Sequence, residues 1–200
     1  MNFVVLSSSR GTTFQAVLDR IADGSLSAVC LGLIADREDR GCVEKARAAG
    51  IPVVLLERRK GEDREAYNRR LDAGIRTFGK ADAIAALGWM WILNPWFVRQ
   101  WKGRIINVHP ALLPKFPGAH GIADAMAAGE TETGMTIHII DEGVDTGPIL
   151  VQKSCSILPG DTEDSLKERI QKLEKEWYPR VLQSIQDGEV TLPFWGRQKS

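Results

Sequence analysis

Short apolar runs alternate with amphipathic stretches along the first hundred residues of the chain. The runs at Phe3–Ser7, Ala28–Ala35, Pro52–Leu56, Ala83–Leu87 and Ile105–Val108 have the length and near-continuous apolar character of strands covered on both faces. Between them, the stretches near Thr12–Asp23, Arg40–Ala49 and Arg64–Phe78 predict helices, as does a short one near Pro95–Trp101, where proline suits a first helical turn. This alternation predicts an α/β fold: a single-domain, three-layer α/β/α arrangement around a mostly parallel central sheet. Beyond residue 110 the pattern becomes strand-rich at Thr136–Ile140 and Ile149–Ile157. A long C-terminal helix then starts near the capping residues Asp161 and Thr162 and continues to about Gln186. No repeat, low-complexity block or linker divides the chain, so one domain is expected over residues 1–188. A short tail over 189–200 carries Pro193, Phe194 and Trp195 and either packs back or mediates a contact.

Composition narrows the class without naming a function. A chain of 200 residues can bury about 70% of its unfolded surface, and 44% hydrophobic with 26% charged residues is ordinary for a globular protein. Lys plus Arg and Asp plus Glu both number 26, so no global basic field draws the chain to nucleic acid or to an anionic membrane. An anionic ligand must be held locally. Cys30, Cys42 and Cys155 are far apart and odd in number, which points to a reducing, cytoplasmic setting and to no structural zinc. Met1 leads into Phe3–Leu6 with no basic leader, and the apolar stretch Ala83–Leu93 is too short to span a bilayer.

Candidate chemistry gathers in "GRIINVHPALLPKFPGAHG". Arg104–His109 reads as a strand ending at Pro110, and its period of two places Asn107 and His109 on one face with Val108 on the other. Asp145 follows further along, in "DEGVDTGP". An amide, an imidazole and a carboxylate together can stabilise an oxyanion and move a proton without a metal, which suggests acyl-group transfer. Taken singly, Asn107 and His109 also suit the capping of a strand end, and Asp145 between glycines suits a turn. His138, inside a strand, reads as a supporting residue, and His120 carries no assigned role.

"NVHPALLPKFPGAHG" is similar to the N-[IV]-H-P-S-L-L-P-x-[FY]-x-G signature of the folate-dependent formyltransferases, and "GMTIHIIDEGVDTGPIL" resembles their second long motif. The stretches "MNFVVLSSSRGTTFQAVLDRI", "ALGWMWILNPWFV" and "DTEDSLKERIQKLEKEWYP" extend the resemblance from about Met1 to Gly188. It implies a Rossmann-like fold and transfer of a formyl group from 10-formyltetrahydrofolate, a co-substrate, to the amine of glycinamide ribonucleotide in purine biosynthesis. It also implies no metal, with Asn107, His109 and Asp145 as the chemical residues of a monomer or homodimer. Folate contacts would come from Arg64, Met90, Trp91, Ile92, Leu93, Val98, Ile140, Asp141 and Val144. Ribonucleotide contacts would come from Gly11, Thr12, Thr13, Pro110 and Glu174.

The chain departs from the family pattern at several of these places. Ser9 replaces the first glycine of a G-x-G-S-N loop, Thr12 and Thr13 replace its Ser-Asn, and Arg10 adds a charge. Trp91 stands where the family has an arginine that meets the glutamate tail, which allows stacking on the benzoyl ring instead. Ala111 replaces a serine, Asp36 an asparagine, and Gln171 a basic residue. Because these changes spare the three chemical residues, formyl transfer is better supported than the acceptor. Another amine, such as an amino-sugar nucleotide, and a non-catalytic folate or nucleotide binding module are the alternatives.

Overall fold

The structure is a computed structural model and describes residues 1–192. The elements run β1 (Asn2–Ser7), α1 (Thr12–Ala22), β2 (Val29–Ala35), α2 (Gly41–Ala48), β3 (Val53–Leu55), α3 (Arg64–Arg76), β4 (Ala83–Ala86) and α4 (Pro95–Gln100). They continue through β5 (Ile105–His109), α5 (Gly121–Ala127), β6 (Glu132–Ile139), β7 (Ile149–Ser156) and α6 (Glu163–Gln186). One seven-stranded sheet holds them in the order β3-β2-β1-β4-β5-β6-β7. The five strands from β3 to β5 pair in parallel, and β6 and β7 add an antiparallel flank.

The strands are apolar on both faces because each face has its own core. In β1, Phe3 and Val5 enter a core shared with Phe14 and Val17 of α1, Val43 of α2 and Leu182 of α6. Val4 and Leu6 face the opposite way, toward Tyr67 and Leu71 of α3 and Phe97 of α4. Burying each such side chain is worth about 1.5–3 kcal/mol, so a one-residue slip in register would exchange the two cores at high cost.

Helix α6 begins with a capping box: the Thr162 hydroxyl accepts the Ser165 N–H, and the Ser165 hydroxyl accepts that of Thr162. It runs on past Pro179, whose missing donor removes one helical hydrogen bond. The preceding Tyr178 is fully buried, and its hydroxyl donates to the Ile106 carbonyl at 2.8 Å, tying the helix to β5 one residue before Asn107.

Most observed boundaries fall within one or two residues of those expected, with two larger differences. Helix α5 is not evident from the pattern because "GIADAMA" is short, flanked by glycines and without an amphipathic period. Strand β6 starts at Glu132, four residues earlier than expected, since its first turn of chain is polar and contains Gly134. Gly134 lies so close to β7 that a Cβ there would sit 2.0 Å from the Lys153 carbonyl oxygen. Pro193, Phe194 and Trp195 lie outside the described residues. Among the described residues, no helix is long and apolar enough to cross a membrane.

Candidate active site

From β1 the chain builds outward to β2 and β3, then returns to lay β4 on the other side of β1. The loops leaving β1 and β4 therefore diverge, which opens a crevice at the carboxyl ends of the strands. A cavity of about 680 Å³ lies there, lined by the loops after β1, β4 and β5, the segment Ile140–Asp145 and one face of α6. The two diverging loops are joined at their roots: the Ser7 hydroxyl donates to the Leu87 carbonyl at 2.7 Å and the Ser8 N–H to the Gly88 carbonyl at 3.0 Å.

Asn107, His109 and Asp145 meet on one wall of this cavity. The first two project from the end of β5 on the same side of the pleat, as their spacing requires. His109 is nearly enclosed, with Nδ1 3.4 Å from Asp145 Oδ2 and Nε2 donating to the Phe116 carbonyl at 2.7 Å. Both ring nitrogens face oxygen acceptors, and only the imidazolium supplies a proton to each.

Asp145 reaches this place through unusual backbone. Its φ is 53°, a left-handed conformation that aspartate tolerates better than most residues. Gly147 lets the loop press against β6, since a Cβ there would stand 1.8 Å from the Ile139 carbonyl oxygen. Burial works against the Asp145 charge, but the Gly118 N–H, which donates at 2.8 Å, and the facing His109 ring outweigh it. The carboxyl is thereby held below the usual carboxylate range.

His138 sits behind the trio, almost fully buried. Its Nδ1 faces the Ile139 carbonyl at 3.2 Å, so in the neutral ring Nδ1 donates there and Nε2 accepts from the Asn107 amide at 3.1 Å. That bond fixes the amide orientation and leaves the second N–H of Asn107 for a ligand in the cavity. The same Nε2 stands 3.5 Å from Asp145 Oδ1, so His138 contacts two of the three residues at once. Its alternation within "MTIHII" identifies an inward position, but nothing in the sequence tells which partners β5 brings opposite it.

One end of the cavity suits an anion. Gly11 turns the chain with φ 72°, and a Cβ there would lie 2.8 Å from Cys42 Cα. Thr12 and Thr13 then open α1, where the first backbone N–H groups have no intrahelical partner. Ser9, in place of glycine, engages the scaffold: its hydroxyl accepts the Gly11 N–H at 3.1 Å and lies 3.3 Å from the Leu87 carbonyl. Arg10 and Lys167 line this end and form no ion pair among the described residues. Glu174 closes it from α6, its carboxylate accepting from the Thr13 hydroxyl at 2.8 Å, and burial pushes its pKa up to about 7.

The other end is apolar. Met90, Ile92 and Val144 are 67%, 61% and 64% exposed, an unusual rim of large side chains facing solvent around a concave site. Leu93, Ile140 and Asp141 also line the cavity, whereas Val98 is buried in α4 and Arg64 opens α3 on the surface, both outside the lining. Trp91 lines it too, but its indole N–H donates to Asp36 at 3.1 Å, and its ring packs near Tyr67 and under Arg58. Pro110 lines the centre; His120 caps α5 on the exposed side. No group of three His, Cys, Asp or Glu suited to a metal occurs among the described residues.

Comparison with known proteins places this geometry in a family. The family model described as "Formyl transferase" matches residues 1–182. A phosphoribosylglycinamide formyltransferase of Bacillus subtilis is 34% identical over 92% of this chain and 93% of its own length. The trifunctional purine biosynthetic protein adenosine-3 of Drosophila pseudoobscura is 42% identical over 93% of this chain, which spans only 14% of that longer protein. The crystal structure of phosphoribosylglycinamide formyltransferase from Bacillus halodurans superposes with a TM-score of 0.90 at 34% identity, covering 97% of this chain and 100% of that one. On this match along nearly its whole length, in sequence and in fold, the chain belongs to the formyl transferase family of enzymes.

Proposed function

We propose that the protein transfers a formyl group from 10-formyltetrahydrofolate to the primary amine of glycinamide ribonucleotide, with Asn107, His109 and Asp145 as its catalytic residues. The observation that carries this reading is that those three groups line one cavity together with an anion-suited set of residues and an apolar rim. The apolar rim of Met90, Ile92 and Val144 fits the faces of a flat folate ring, and neighbouring backbone groups fit its hydrogen-bonding edge. Arg10, Lys167 and the opening of α1 fit a phosphate.

In the reaction a nitrogen–carbon bond forms between the acceptor amine and the formyl carbon, and the bond from that carbon to the folate nitrogen breaks. Negative charge passes through the formyl oxygen. The free Asn107 N–H and the Nε2–H of protonated His109 stabilise that oxygen, with His109 exchanging its Phe116 carbonyl partner for the stronger acceptor. One preorganised donor of this kind is worth about 3–4 kcal/mol in the transition state. Asp145 holds the imidazolium through Nδ1 and, kept ionised by its surroundings, accepts the proton released by the attacking amine, directly or through water. Asp145 or the water passes that proton on to the departing folate nitrogen, and relays of this type contribute about two to four powers of ten in rate.

Deformylation of 10-formyltetrahydrofolate, followed with a panel of amines, tests the assignment. Saturable turnover with glycinamide ribonucleotide is expected, whereas turnover only with an amino-sugar nucleotide would change the acceptor and leave the chemistry in place. Binding of both ligands without turnover would remove the catalytic assignment. The inward-turned Ser9 is the feature that motivates the comparison of acceptors.

A further inference from the structure

Asp36 directly follows β2 and is 3% exposed, yet it does not line the cavity. A buried carboxylate is costly unless it is richly partnered. Here Arg40 donates to both of its oxygens at 2.9 Å each, and the Trp91 indole N–H donates at 3.1 Å. The Ser8 hydroxyl also favours its charge, and together these donors overcome burial and hold the carboxyl below the usual range. Ser8 in turn lies 3.5 Å from the Met90 N–H.

These partners belong to different parts of the site. Ser8 begins the loop that carries the anion-suited end, Trp91 and Met90 form the wall of the apolar end, and Arg40 stands at the start of α2 beside Gly41. Gly41 itself touches the anion loop, since a Cβ there would come within 2.9 Å of the Arg10 carbonyl oxygen. One buried charge thus ties together three segments that lie far apart in the sequence, two of which line chemically unlike parts of the cavity. Movement of either loop changes the hydrogen bonds available to the other through the same two oxygens.

We propose that Asp36 is a positioning residue that couples the two ends of the active site, so that occupation of the anion end favours occupation of the apolar end and the reverse. The coupling rests on the proposed function only in needing two ligands, one anionic and one folate-like. Linkage requires the effect to be equal in both directions.

The test measures binding of tetrahydrofolate with and without saturating inorganic phosphate, and of phosphate with and without tetrahydrofolate. The intact chain is compared with its Asp36→Asn and Trp91→Phe variants. The intact protein is expected to show mutual tightening of about fivefold or more, in the usual range of coupling between sites. Asp36→Asn keeps the side-chain size but loses the charge that holds Arg40 and Trp91, and its coupling ratio is expected to fall to within about twofold of unity. Trp91→Phe keeps an aromatic ring of smaller area and removes the indole donor to Asp36, so it reports on the same link should Asp36→Asn fold poorly; its ratio is expected to fall as well. Absence of coupling in the intact protein, or an unchanged ratio in a folded variant, overturns the proposal. These readings need no turnover, so the acceptor assay can fail while coupling persists, and coupling can fail while glycinamide ribonucleotide is still formylated.

Discussion

In the proposed mechanism Asn107 and His109 both donate to the formyl oxygen, and this predicts how their variants behave. Asn107→Ala removes one donor and should lower kcat by about two to three powers of ten with little change in either KM. His109→Ala and Asp145→Ala should each lose about a hundredfold or more while melting cooperatively near the intact protein. Near-normal turnover in any of the three would take that residue out of the mechanism. Glu174 gives a prediction of opposite kind, about stability. Its carboxyl titrates at about 7 when folded, above its ordinary value of 4.5, so the folded state binds the proton more tightly than the unfolded one. Stability is therefore greatest below the unfolded value and declines as pH rises from there through the folded value. Denaturant titrations of Glu174→Gln should show a gain over the intact protein at pH 8, of about 3 kcal/mol at most, that shrinks toward pH 5. A gain independent of pH would contradict the burial argument.

Helix α6 works at a distance, because Tyr178 bonds the Ile106 carbonyl next to Asn107. Tyr178→Phe removes that bond, while the β4 ladder still pairs the strand, and should cost about 0.5–1.5 kcal/mol in urea unfolding. A loss in kcat accompanying it would show that the helix also sets the position of β5. Much of this element structure is legible in the sequence, since buried parallel strands are written as apolar runs and capped helices announce their ends. Thr162 marks the start of α6 even though Pro179 disguises its continuation. What stays hidden depends on pairing: β6 runs antiparallel to β5 and β7 antiparallel to β6, and α5 is too short to show a period. The same reason divides the candidate site. Asn107 and His109 are visible together because two residues of strand separate them. The bond from Trp91 to Asp36 joins positions 55 apart and is invisible until β1 brings their strands together. Val98 and Arg64, which resemblance places at the folate, lie outside the cavity lining, one buried in α4 and the other exposed at the start of α3.

Across the whole molecule, equal numbers of acidic and basic residues leave no net field to gather an anionic substrate, so its capture depends on the few cations at the cavity. Arg10→Ala should therefore raise KM for a phosphate-bearing acceptor by about tenfold, the worth of one charge-assisted hydrogen bond, with kcat little altered. An unchanged KM would assign the anion to Lys167 and the opening of α1 alone. The fold's larger contribution is placement: a crevice forced open at β1 and β4, a strand end that delivers two donors, and a glycine-framed loop that returns a carboxylate to them. The most direct measurement is deformylation of 10-formyltetrahydrofolate with glycinamide ribonucleotide, run side by side on the intact protein and on His109→Ala. Saturable, amine-dependent turnover that falls about a hundredfold or more in the variant, at similar KM for both substrates, is the predicted result. Deformylation indifferent to the amine, or equal in the two proteins, would contradict the account.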